Sequence, residues 1–376
     1  MSHSFSPLLK SAPKWVSQNA VLCIAIIAAI VTSCIVLPDA EYAGYFDWKT
    51  LSCLFTVLAV VCALKNIRFF TFLARKIVQC TGNLRTATIA LVYITFIGSM
   101  LIANDMALLT FLPLGYYVLS ATGQERYMAR IFILQNIAAN LGGMLTPFGN
   151  PQNLYLYSFF QIPTGEFMTI MLPAFLIAVL MITLCCLTLP KESIHLYETD
   201  PIRLPPRKTV LYLILFALSV VMVFRLIPYW IVLIIVPLVL IFADRRALRA
   251  VDYSLLFTFV CFFIFAGNMA RIPAVSALLT SLLDLNPLII SALSCQFISN
   301  VPSAILLSRF TGDYTSLLLG VNIGGTGTII ASLASLITFR EYTSHNPGKA
   351  KYYLGVFSAY NFAFLIILTA CALLIY

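Results

Sequence analysis

Charge is what this chain has least of. Only 10% of its 376 residues are Asp, Glu, Lys or Arg, against about 25% in a soluble domain. Histidine is scarcer still: His3, His195 and His345 all fall in polar stretches. A histidine-based metal centre or a nucleophilic triad therefore has little to build on. The ten cysteines lie mostly inside apolar runs, without metal-ligand or disulfide-framework spacing. They read as small apolar residues. Low-complexity tracts are missing, and so are the acid or histidine clusters that a membrane-embedded transferase needs. These absences argue against an enzyme.

What remains is apolar. Hydrophobic residues make up 61% of the chain and mean hydropathy is +0.97. This is the composition of an all-α polytopic membrane protein. A span needs roughly 20 apolar residues, about 17–25 in practice. Spans are expected near 20–37, 50–64, 127–160, 166–189, 209–226, 229–243, 253–267, 313–338 and 353–375. The run at 20–37 is longer than a signal-peptide core, and further spans follow it, so it reads as the first crossing. Two apolar stretches are left over, Thr86 to Ser120 and Pro287 to Ser308. Each has a polar pair at its centre, Asn104-Asp105 and Ser299-Asn300. Both read as re-entrant hairpins with the polar pair at the tip.

The formal net charge of +9 does not indicate a nucleic-acid partner, because of where the cations fall. With the N-terminus in the cytoplasm, only Lys49, Arg225, Arg271 and Arg309 lie outside. Every other Lys and Arg lies in a cytoplasmic segment, as the positive-inside rule requires. The layout puts the C-terminus outside and the protein in the plasma membrane. Trp48 and Tyr45 are expected as interfacial anchors. Arg75 and Lys76, on an amphipathic arm around 67–80, are expected against lipid headgroups. Arg130 and Arg309 read as snorkelling to the interface, with attraction of an anion as the other role.

A short pattern occurs twice inside spans. Asn140-Leu141-Gly142-Gly143-Met144-Leu145-Thr146 and Asn322-Ile323-Gly324-Gly325-Thr326-Gly327-Thr328 both read N-x-G-G-x-x-T. Glycine pairs, amides and hydroxyls are costly in a bilayer unless they are buried in protein or face a cavity. The first copy runs on into Pro147-Phe148-Gly149-Asn150-Pro151-Gln152-Asn153, where two prolines remove backbone donors and break the helix. A broken helix exposes carbonyls that suit Na⁺ and an N-terminus that suits an anion. Asn150 and Asn153 fall opposite Ser332 and Ser335. Asp47-Trp48 and Asp252-Tyr253 open equivalent spans. The extra span at 209–226 turns the second half over. The expected architecture is thus two inverted-topology repeats, with about nine crossings, two re-entrant hairpins and two broken helices. Asp105 is the single acid placed at membrane depth. It reads as a Na⁺ ligand or proton carrier, or as a cap on the returning helix.

These residues resemble the ion transporter superfamily: divalent-anion/sodium symporters, citrate transporters, arsenite-efflux permeases and one class of Na⁺/H⁺ antiporters. The matching pieces are Ala103-Asn104-Asp105, Thr146 to Asn153, Ser299-Asn300-Val301-Pro302 and Gly324 to Thr328. They occur in order, and the resemblance covers about residues 20–376. The dicarboxylate symporters carry Ser-Asn-Thr at both tips. The Asn-Asp tip here is more similar to the arsenite and Na⁺/H⁺ branches. The resemblance implies a scaffold and a moving transport domain in a homodimer. Their expected bounds are a cytoplasmic N-terminus at 1–19, scaffold at 20–82 and 209–285, transport domain at 83–190 and 286–376, and a cytoplasmic linker at 191–208. Substrate is expected on Asn104, Thr146, Asn150, Asn153, Ser299, Asn300, Thr328 and Ser332. The coupling ion is expected on Asn104, Asp105, Gly149, Asn300 and Gly325. No cofactor is expected beyond Na⁺ or H⁺ as coupling ion. The partners are a small anionic substrate and the lipid bilayer. The expected function is secondary active transport of a small carboxylate or inorganic oxyanion by an elevator movement. The alternative is a Na⁺/H⁺ antiporter or arsenite-type efflux permease that uses Asp105.

Overall fold

A computed structural model describes residues 19–194 and 202–376. The N-terminal cations Lys10 and Lys14, His3, and the stretch of the linker with His195 and Pro201 lie outside the described residues. Six helices are long and apolar enough to cross a membrane. With the composition, this makes the chain a multi-pass, all-helical membrane protein. Among the described residues the one β-type pairing is an isolated bridge between Asn83 and Ser193.

The chain opens with α1 (Ala20–Ile35), α2 (Trp48–Asn66) and a short arm, α3 (Phe69–Gln79). Asp47 starts α2 by accepting hydrogen bonds from the Thr50 N–H and hydroxyl. The returning pair α4 (Leu84–Ile102) and α5 (Asn104–Ala121) follows. Asn83 and Thr86 form a capping box at the start of α4, which satisfies two otherwise orphan amides. Next come α6 (Met128–Gly142), α7 (Pro151–Phe159) and α8 (Thr164–Leu187).

After the linker the chain resumes. It runs through α9 (Pro206–Val223), α10 (Tyr229–Ala243), the single turn α11 (Arg245–Arg249) and α12 (Tyr253–Ala270). Asp252 caps α12 as Asp47 caps α2. An arm α13 (Pro273–Leu285) leads to the pair α14 (Pro287–Ile298) and α15 (Asn300–Leu307). The chain closes with α16 (Tyr314–Ile323), α17 (Leu333–His345) and α18 (Ala350–Ile375).

Length separates the two returning pairs. α14 and α15 have 12 and 8 residues, or ~18 and ~12 Å at about 1.5 Å per residue. Neither can cross a ~30 Å hydrocarbon core. α4, with 19 residues, is one of the six helices long enough to cross.

Two groups of helices pack separately. In one, α1 lies on α12, and α2 lies on α9 and α10. In the other, α4 packs on α6 and α14 on α16. The second limbs of the broken helices then cross over. α7 packs on α15 and α16, while α17 packs on α5 and α6. Each half is thus completed by a limb from the other. The groups meet where α12 touches α15 and α2 touches α7.

Two expectations need correction here. Tyr45 is not an interfacial anchor but is buried. Its ring sits over Gly267, where a Cβ would lie 2.5 Å away, and its hydroxyl accepts from Arg271. The neighbouring Trp48 is 60% exposed. Arg75 is not directed at headgroups: it lies over the Tyr117 ring of α5, 5.8 Å from the centroid. All ten cysteines are free thiols.

Candidate functional site

Each returning pair turns on one residue with left-handed backbone. Ala103 has φ 67° and ψ 151°, and Ser299 has φ 74° and ψ 160°. Non-glycine residues rarely adopt this conformation, and it persists only where surrounding structure fixes it. The following asparagines do the same thing at both tips. Asn104 Oδ1 accepts from the Asp105 N–H, and Asn300 Oδ1 from the Val301 N–H, each at 2.9 Å. The second tip is also tied to the opposite strand of chain by Asn300 N–H to the Ala331 carbonyl, 2.9 Å.

The repeated motif supplies the centre. Asn140 Oδ1 accepts from Asn104 Nδ2 at 3.1 Å and from the Ser332 hydroxyl at 2.8 Å. Its Nδ2 donates to the Gly325 carbonyl, and its backbone carbonyl accepts from Asn150 Nδ2. One side chain thereby joins the first tip to both breaks. Asn322 mirrors it. Its Oδ1 accepts from Asn150 and Gln152, and its Nδ2 donates to Asn153 Oδ1 at 2.6 Å. Asn136 Nδ2 reaches the Ser335 hydroxyl. The motif glycines let the helices approach. A Cβ on Gly142 would lie 2.4 Å from the Phe96 carbonyl oxygen, and one on Gly324 would lie 2.9 Å from Ala292 Cα. Small residues at such contacts are the usual means of close helix packing in membranes.

The sequence-expected residues fall into two places. Asn104, Asp105, Ser299, Asn300 and Ser332 line one cavity of about 350 Å³. Gln152, which the sequence reading passed over, lines it as well. The opposite wall is apolar and comes from α1 and α12, including Ile24, Leu255 and Phe262. No Lys, Arg or His is among the lining residues. Thr146, Asn150, Asn153, Thr328, Gly149 and Gly325 sit behind it. The Thr146 hydroxyl donates to the Met100 carbonyl and the Thr328 hydroxyl to the Gln296 carbonyl. Asn153 Nδ2 donates to the carbonyls of Gly143, Met144 and Thr146, closing the first break on itself. Gly149 is pressed against the Gly143 carbonyl, and Gly325 lies by Asn300 Nδ2.

Asn140 and Asn322 were visible in the sequence as the first letter of the motif but were not named there as site residues. Gln296 was missed too. It lies three residues before the second tip and holds the second break through the Gly324 and Thr326 carbonyls and the Thr328 N–H.

Two oxygens of residues on the cavity wall have no partner among the described residues. Asp105 Oδ1 and Gln152 Oε1 are both buried without a hydrogen bond. Behind the wall Asn136 Oδ1 and Asn150 Oδ1 share that condition. Unpaired buried acceptors are costly. An oxygen-only set of carboxylate and amide suits a hard cation or a proton. Among the described residues no group of three His, Cys, Asp or Glu could hold a metal ion. Arg309 and Arg130 stand away from the cavity. Arg309 donates to the Tyr45 carbonyl at 3.0 Å and lies over the Phe159 ring. Arg130 is held by Thr188 and the Cys185 carbonyl.

A family model described as "Citrate transporter" matches residues 13–313. The chain belongs to the citrate transporter family. Its relatives are named as transporters or membrane proteins. It is 31% identical over 308 residues to the transporter MJ0456 of Methanocaldococcus jannaschii, covering 81% of this chain and 84% of that protein. It is 29% identical over 309 residues to the inner membrane protein YbiR of Escherichia coli, covering 80% and 81%. A shorter match, 30% over 156 residues, is to the silicon efflux transporter LSI3 of rice, covering 41% of this chain and 31% of that protein. This member of the citrate transporter family is therefore a transporter and not an enzyme.

Proposed function

We propose that the chain is a secondary active transporter of a small anion, a carboxylate or inorganic oxyanion, coupled to Na⁺ or H⁺. The observation that carries this reading is the meeting of both tips, Asn104-Asp105 and Ser299-Asn300, in one cavity whose far wall belongs to the other helix group. α5 and α15 both begin there, so the positive ends of two helices face the cavity and offset an anion's charge. With no cationic side chain on the wall, the rest of that charge falls to the coupling ion. Asp105 and Gln152 offer it unpaired oxygens.

In this reading α4–α8 and α14–α18 move as the transport domain against a scaffold of α1, α2, α9, α10 and α12. The two halves are inverted repeats, and the returning pairs are re-entrant hairpins. Nine crossings then include the two broken helices and the shorter α1 and α10. The scaffold pairs the chain in a homodimer in the plasma membrane, N-terminus inside. The cavity is lined by Ala20 and Leu255, near the starts of α1 and α12, which the charge pattern puts on the cytoplasmic side. On the opposite side the groups are joined by Arg309 to Tyr45 and by Arg225 to the Tyr157 carbonyl and ring. This combination supports an inward-facing state.

Uptake of labelled carboxylates and oxyanions into proteoliposomes, with and without Na⁺ and pH gradients, tests the proposal. Gradient-dependent uptake lost in Asn104→Ala and Asn300→Ala is expected. Intact uptake in both variants overturns the site.

The unpaired carboxylate favours one second reading, a Na⁺/H⁺ antiporter or an arsenite-type efflux permease that uses Asp105; the rice relative is named as an efflux transporter. Flux in Asp105→Asn with unchanged pH and Na⁺ dependence removes that reading.

A further inference from the structure

We propose that a second site, remote from the cavity, binds the phosphate headgroup of an anionic phospholipid. A cleft of about 460 Å³ is lined by Asn66 at the end of α2, Lys208 in the first turn of α9, and Asp244, Arg245 and Arg246 at the α10–α11 junction. Three helix ends thus bring three cations to one hollow.

The cleft's single acid is already engaged. Asp244 accepts from Asn66 Nδ2 at 2.9 Å and from the N–H groups of Arg246 and Ala247. Arg245 Nε donates to the Ile241 carbonyl at 2.8 Å, but no acid among the described residues neutralises the cations. Among the described residues the salt bridges involve Arg126, Arg271 and His345, none of them at this cleft. α9 begins at Pro206 with no side-chain cap, so its positive end adds to the field at Lys208. A phosphate monoanion or diester meets this arrangement through charge-assisted hydrogen bonds to guanidinium and ammonium groups.

The surroundings choose a lipid over a free anion. An apolar helix face leads directly away from the cleft. Leu238 and Phe242 on α10, eight and four residues before Arg246, are 53% and 80% exposed, and residues four apart share a helix face. A headgroup in the cleft places acyl chains along that face, so one ligand satisfies both surfaces. The charge pattern puts the cleft at the cytoplasmic leaflet, and basic pockets between helices at this level suit anionic headgroups. Lipid held here ties together the ends of α2, α9 and α10, the helices proposed to stay still during transport.

The full chain, purified in neutral detergent, is melted with added phosphatidylglycerol, phosphatidylcholine or glycerol phosphate. Phosphatidylglycerol is expected to raise the melting temperature, and the other two to have little effect, since a ligand of the folded state stabilises it by mass action. In Lys208→Ala/Arg245→Ala/Arg246→Ala, the half-saturating lipid concentration is expected to rise on the order of a hundredfold, from about 1 kcal/mol per cation. Lys349→Ala/Lys351→Ala, which leaves the cleft intact, is expected to keep the response. If the triple variant does not fold, Lys208→Gln and Arg245→Gln are read singly, with a rise of roughly fivefold each. A full response in the cleft variants overturns the proposal, as does an equal response to phosphatidylcholine. An equal shift from glycerol phosphate alone also overturns it, because the ligand is then a free anion.

Discussion

The two halves of the site share a backbone and differ in charge. At each tip a left-handed residue precedes an asparagine whose side chain accepts the next N–H. At each break the second limb begins at a residue of extended backbone, Asn150 or Ser332. Yet the first tip continues with Asp105 and the second with Val301. The first break brings Gln152 to the cavity, whereas the second brings the Ser332 hydroxyl, already bonded to Asn140. Common geometry with one-sided charge separates two tasks. Holding the tips in place needs both halves equally. The proposed ion coupling needs only the half with the unpaired carboxylate.

The most damaging test of this equivalence is at the hubs. Asn140→Ala leaves the partners on Asn104 and Ser332 and at Gly325 unsatisfied, at about 1–3 kcal/mol for each buried group. A loss of several kcal/mol is expected in thermal or denaturant unfolding in detergent. Asn322→Ala is expected to match it. Tolerance of one variant and not the other breaks the comparison.

At the tips, Asn104→Ala and Asn300→Ala are each expected to lower transport about 10- to 100-fold. Hydrogen bonds to a charged ligand contribute about 1.5–3 kcal/mol. Asp105→Asn is expected to change the ion dependence, while Val301→Asn leaves it unaltered. Ion-gradient uptake assays distinguish them.

The glycine contacts give a smaller effect. Gly142→Ala puts a methyl against a backbone carbonyl and Gly324→Ala puts one against Cα and carbonyl atoms of Ala292. Each is expected to destabilise by about 1–3 kcal/mol, the usual range for overpacking. Melting temperatures check this, and the larger drop is expected at Gly142, where the approach is closer.

The smallest effect lies outside the membrane. The Arg271 guanidinium, hydrogen-bonded to Asp39 at 2.6 Å, holds that carboxyl below its ordinary value. A lowered folded-state value means the pair stabilises above the unfolded carboxyl range, near pH 4, and this is lost as pH falls through the folded value. Both groups are partly exposed, so solvent screens the pair and the contribution is slight. Asp39→Asn is expected to flatten the acid limb of a stability–pH curve and leave neutral pH nearly unchanged.

Much of this was legible in the chain. Pro147 and Pro151 announce the first break because proline cannot continue a helix interior. Asp47 and Asp252 mark helix starts because a short acid satisfies free N–H groups. The polar pairs at 104–105 and 299–300 stand out because polar groups are rare in apolar runs. Tyr45 was misread because an aromatic beside a span end has the same local pattern whether it faces headgroups or fills the notch at Gly267. Gln296 was passed over for a related reason. A lone amide in a helix gives no sign of whether its partner lies four residues or thirty away.

The sequence by itself determined the helix starts, the first break and the polar residues inside apolar runs, since helix length, capping and proline chemistry act over a few neighbours. Only the tertiary structure decided that α7 and α17 exchange halves. It also made Asn140 and Asn322 the hubs and divided the expected residues between the cavity wall and the packing behind it. Those outcomes depend on bonds such as Asn140 to Ser332 and Asn322 to Asn153. In a bilayer, helix association rests on close packing and on satisfying polar groups, not on burial of apolar surface from water. Hydropathy marks which segments enter the membrane, and the matching of donors, acceptors and small residues across the chain selects their partners.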